Sequence, residues 1–116
     1  LEEARRYIEA GDAVQASEKL YRAAEECIKA LARHYKIPEL SEVEERGRWD
    51  TWILGKAATR LAVQLGEERI RAAWAYAYDI HVWGFHEAKY GIEEVKHTLP
   101  HIEWLLEYTK RTLKQS

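Results

Sequence analysis

Apolar positions recur along this 116-residue chain at steps of three and four, and the recurrences end at glycine or proline. Residues three and four apart share one face of an α-helix, so the spacing predicts amphipathic helices. Ala16, Leu20, Ala23, Cys27 and Leu31 form one stripe, widened by Ala24 and Ile28. The opposite side carries Glu18/Arg22 and Glu25/Lys29, i,i+4 pairs in the favourable order. Five helices are predicted, over residues 1–10, 12–35, 50–65, 67–90 and 92–114, with Asp12 capping the second. Residues 39–48 are polar, and Ser41-Glu42-Val43-Glu44 has the form of a capping box, which predicts a single helical turn or a loop. In the last helix the stripe Ile92, Val95, Leu99, Ile102, Leu106, Thr109, Leu113 continues through Pro100, so a kinked helix is expected there. No β-type alternation occurs. Short connections between long helices imply an all-α, up-and-down bundle of four to five antiparallel helices, one domain over residues 1–116.

The helix predicted over 67–90 is unusual, because six of the chain's 13 aromatic residues lie between Trp74 and Tyr90. At the α-helical pitch they divide into two sides. Trp74, Tyr78, His81 and Phe85 project one way with Ile70 and Ala77, as a core face would. Tyr76, Asp79, Trp83, His86, Glu87 and Tyr90 project the other way. Both sides are therefore expected to be covered. The second side suits a protein interface, where Trp and Tyr are enriched, or a pocket that combines stacking surfaces with an acid or base. His81 and His86, five residues apart, diverge on an α-helix and cannot share an ion unless the helix is distorted at Gly84. No metal site is expected.

Composition narrows the field. A net charge of −2 gives no overall attraction to nucleic acid or anionic lipid. Cys27 is the sole cysteine, which excludes an internal disulfide and a cysteine-based zinc site. It lies on an apolar stripe, where a thiol is ordinarily inert. No apolar run reaches the ~20 residues a membrane helix needs, so no membrane partner is expected. Leu1 to Arg6 carries no signal-peptide pattern, and a cytoplasmic location is the expectation. The chain has no Asn and no Met but many Glu, Lys and Arg, a hyperthermophile tendency. There is no glycine-rich phosphate loop and no nucleophile elbow, and no cofactor is expected. The basic clusters Arg46/Arg48, Arg69/Arg71 and Lys110/Arg111/Lys114 have acidic neighbours and read as surface ion pairs.

Three segments carry a family resemblance: Leu20-Tyr21-Arg22-Ala23-Ala24-Glu25-Glu26-Cys27-Ile28-Lys29-Ala30-Leu31-Ala32, Ala73-Trp74, and His81-Val82-Trp83-Gly84-Phe85-His86-Glu87-Ala88. They resemble the archaeal PaREP family, which is grouped with the HEPN-like helical bundles. The resemblance implies a helical bundle, often dimeric, from archaea that are frequently thermophilic, and it brings no established activity. Wider HEPN-like relatives include RNA-cleaving toxins, nucleotide-binding modules and partners of nucleotidyltransferases. The cleaving ones carry an Arg followed four to six positions later by a His. That pair is missing here, and the nearest arrangement is Lys96 with His101, a degenerate version in which lysine offers only a point charge. The leading expectation is a non-catalytic, homodimeric interaction module that docks a partner protein such as a nucleotidyltransferase. The alternative is a nucleotide- or RNA-acting domain of a toxin–antitoxin-like pair. Its candidates are Asp79, His86 and Glu87, or Lys96 and His101.

Overall fold

The longest helices set the dimensions of the fold. In the computed structural model, which describes residues 1–115, α2 (Ala13–Tyr35) and α6 (Ile92–Lys114) each run 23 residues. At 1.5 Å per residue each is about 35 Å long, close to the 39 Å long axis of the molecule. The other elements are α1 (Glu2–Glu9), α3 (Leu40–Arg46), α4 (Thr51–Leu65), α5 (Glu68–Ile80) and a π-helical segment, His81–His86. The fold is all-α as expected, with no strand among the described residues. Among the described residues it has six α-helices rather than four to five.

The sixth helix is α3, in the stretch expected to be one turn or a loop. Ser41 does not cap it. Its hydroxyl lies inside the helix and donates to the Pro38 carbonyl, while the N-cap position is Glu39. Glu39 is buried and accepts three hydrogen bonds from the Arg60 guanidinium at 3.0–3.2 Å. A tertiary ion pair thus overrides the local capping pattern. Elsewhere the local signals hold. The Asp12 carboxylate accepts from the Gln15 N–H at 3.0 Å, and Gly66, at φ +65°, closes α4 in the left-handed region. Glu94 accepts from the Gly91 N–H at the start of α6. Arg46 and Arg48 both pair with Asp50.

α2 packs against α1, α4, α5, α6 and the π-helical segment, and α5 packs against α4 and α6. The core follows from that arrangement. Leu20, Ala24, Cys27, Ile28 and Leu31 of α2 are buried with Leu54, Ala58 and Leu61 of α4, Ile70, Trp74 and Ala77 of α5, and Val95, Ile102 and Leu105 of α6. In α6 the buried stripe is Val95, Thr98, Ile102, Leu105 and Thr109. It is rotated slightly from the predicted one, so that Leu99 and Leu106 flank it and Leu113 is exposed. The helix runs unbroken through Pro100, whose ring is exposed. Among the described residues no helix is long and apolar enough to cross a membrane.

Candidate functional site

The predicted rod over 67–90 does not persist. α5 ends at Ile80, residues 81–86 form a π-helix, and residues after 86 leave the helix. Such segments are rare and recur at functional sites. The segment is packed tightly against α2. A Cβ built on Gly84 would sit 2.2 Å from Ser17 Oγ and 2.9 Å from Ser17 Cβ, so only glycine allows this approach. The segment closes when the Trp83 carbonyl accepts from the N–H groups of both Lys89 and Tyr90, with Ala88 held at φ +51°.

In i→i+5 bonding, residue i+5 stands one turn above residue i, as i+4 does in an α-helix. His86 is therefore rotated onto the side of His81. Their Nε2 atoms lie 3.1 Å apart, with the rings at 78°. The expectation that the two histidines diverge is corrected, and the distortion at Gly84 is its reason. His81 is half-buried and stacks on Tyr21 of α2 at a centroid distance of 3.7 Å. Its Nδ1 is buried and has no hydrogen-bond partner among the protein atoms. Burial, and then the adjacent His86, hold the His81 imidazole below its ordinary pKa, opposed by the carboxylates of Glu18 and Glu25. Burial and the charge of Glu25 push the Tyr21 phenol far above its ordinary range.

The remaining residues of the predicted second face separate. Tyr90 donates through its hydroxyl to Asp79 at 3.0 Å, a bond that raises the phenol's pKa. Tyr76 stacks on His101 at 3.9 Å, whereas Lys96 pairs with Glu93, so Lys96 and His101 are engaged separately. Trp83 is 44% exposed, Tyr76 43%, and Glu87 also faces outward. The chain covers this side of α5 only in part. On the other side Ile70, Trp74 and Ala77 are core, but Tyr78 opens to solvent.

A larger surface adjoins it. The outward face of α4 presents Trp52, 51% exposed, and Val63, 77% exposed, on a groove of about 710 Å³ floored by Gly55 and Thr59. Its cations are already partnered: Lys56 with Glu42, Arg60 with Glu39, and Arg71 with the Thr59 hydroxyl. Arg71 also borders a second hollow of about 520 Å³ lined by Trp74, Tyr78, Asp79 and Trp83. The α4 face escaped sequence reasoning because Trp52 and Val63 are two apolar residues eleven apart in a segment otherwise read as core-facing.

The class these features define is an all-α bundle with a π-helical insertion docked through glycine onto its central helix. The chain belongs to the archaeal PaREP1/PaREP8 family, whose model matches residues 1–106. It is similar to a Sulfolobus solfataricus protein solved by crystallography, with 36% identity, a TM-score of 0.86, and coverage of 97% of this chain and 91% of that one. The same Sulfolobus protein solved in solution, as Orf c02003, matches with 35% identity, a TM-score of 0.84, and coverage of 97% and 87%. No curated protein matches.

Proposed function

We propose that this protein is a dimeric interaction module with a HEPN-like bundle, that it works by association rather than by bond-breaking chemistry, and that its partner across α4 is a second copy of itself. The carrying observation is the exposed α4 face. Trp52 and Val63 hold large apolar side chains in water on one side of α4, outside a core that is complete without them. The face is also self-complementary, as a two-fold interface requires. With two α4 helices antiparallel, Trp52 meets Val63 of the partner at both ends of the contact. Lys56 and Thr59 lie between them on the same face. Lys56 and Arg60 bring their own carboxylates, Glu42 and Glu39, so the middle of the face carries no uncompensated charge. The Trp83 side of α5 stays free in this arrangement for a different protein, such as a nucleotidyltransferase.

Sedimentation equilibrium at micromolar concentration tests the reading. The expected mass is twice the 13.6 kDa of the chain. Val63→Asp is expected to give a folded monomer, because Val63 contributes almost nothing to the core. Trp83→Ala should leave the dimer intact. A monomeric wild-type protein, or a Val63→Asp dimer of unchanged affinity, would overturn the proposal.

A further inference from the structure

We propose that His81 and His86 form a two-nitrogen chelate for a late first-row divalent metal ion. The site stands apart from the α4 face and does not rest on the dimer. The geometry of the π-helix carries it. Metal–imidazole bonds run about 2.0–2.1 Å, so two Nε2 atoms 3.1 Å apart subtend an angle of about 100° at an ion between them. That lies between square and tetrahedral coordination. His81 is fixed by its stack on Tyr21, while His86 is exposed, and its ring can turn its lone pair toward the ion. The segment that unites them is locally costly. It needs a glycine wedged against Ser17 and leaves Ala88 in the left-handed region. An α-helix would have run on without either feature.

The surroundings define the ligand class. Two neutral imidazoles suit Cu²⁺, Ni²⁺ and Zn²⁺, whereas hard ions such as Mg²⁺ require oxygen donors. Among the described residues no group of three or more His, Cys, Asp or Glu side chains is placed to hold an ion. The site therefore supplies two donors and leaves the other positions to water or an incoming molecule, an open site rather than a closed structural one. In the metal-free protein one Nε2–H donates to the other ring at 3.1 Å; chelation replaces that hydrogen bond and requires both Nε2 atoms to be free of protons, so His81 must then carry its proton on Nδ1. That atom is buried without an acceptor, whereas tight sites normally give the second nitrogen a partner. This mismatch limits the affinity and makes the site one for exchangeable metal.

Isothermal titration of the untagged protein with Cu²⁺, Ni²⁺, Zn²⁺ and Mg²⁺ tests the proposal. One equivalent per chain of the first three should bind, Cu²⁺ most tightly, and Mg²⁺ should not. His86→Ala, a change at an exposed position, should weaken Ni²⁺ and Zn²⁺ at least tenfold with an unchanged circular dichroism spectrum. His97→Ala, at an exposed histidine outside the pair, should bind as the wild type does. In nitrogen NMR, Zn²⁺ should shift Nε2 of His81 and His86 together. No binding beyond that of Mg²⁺, or His86→Ala isotherms that superimpose on the wild type, would overturn the proposal.

Discussion

Replacing Gly84 by alanine tests the contact on which the π-helix depends. The new methyl carbon would lie 2.9 Å from Ser17 Cβ and 2.2 Å from Ser17 Oγ. Carbon atoms rest at about 3.5–4.0 Å, so the segment must withdraw from α2 by more than half an ångström even if the hydroxyl rotates away. Overpacking of this kind costs about 1–3 kcal/mol. Alanine returns up to about 1 kcal/mol of helical propensity, which leaves a net loss of up to about 2 kcal/mol where that return is full and up to about 3 kcal/mol where the π-helical backbone forfeits it. For a chain of this size each kcal/mol lowers Tm by roughly 4 °C. Thermal and guanidinium unfolding followed by circular dichroism measure it. Ser17→Ala alone should be neutral or stabilising, because it removes a buried hydroxyl that has no partner. Ser17→Gly in the Gly84→Ala background removes both close contacts, so the double-mutant cycle should show a coupling of about 1 kcal/mol or more. A Gly84→Ala protein as stable as the wild type, with no coupling to Ser17, would refute the close approach of the π-segment to α2.

Two further predictions come from the same region. Ala88→Gly should raise Tm by a few degrees, because it relieves a left-handed alanine worth about 1–2 kcal/mol, less the extra freedom glycine gives the unfolded chain; an unchanged or lower Tm counts against that strain. His81 should make stability pH-dependent in metal-free buffer. Its folded-state pKa lies below the ordinary 6.5, so between the two values the unfolded chain binds the extra proton. Stability from this residue is thus complete above about pH 6.5, declines as the pH falls toward the folded value, and levels off below it. His81→Phe keeps the stack on Tyr21 and should remove that slope, which chemical denaturation at a series of pH values can read.

How much of this was legible varied with how local its cause is. Asp12, Gly66 and the stripe from Ala16 to Leu31 act through bonds between near neighbours in sequence, and their helices lie where the pattern placed them. α3 was expected as one turn or a loop and capped at Ser41, whereas it runs from Leu40 to Arg46 behind Glu39, whose pairing with Arg60 spans 21 positions. The face containing Tyr76, Asp79, Trp83, His86, Glu87 and Tyr90 was drawn with one constant pitch. That holds through Ile80 and fails beyond it, so His86 leaves the group and joins His81. The only trace in the sequence was Gly84, an unlikely residue for a helix interior, and nothing local indicates which partner it serves.

Taken alone, the sequence determined an all-α chain, its main helix boundaries and the concentration of aromatic residues after Trp74. Each of these follows from hydrogen bonds and apolar spacing within a few residues. The tertiary structure decided the π-helical register of His81–His86, the meeting of the two histidines and the exposure of Trp52 and Val63. Those features depend on where α2 and α4 come to lie. A helix changes pitch, or leaves a tryptophan in water, only in response to the element packed beside it.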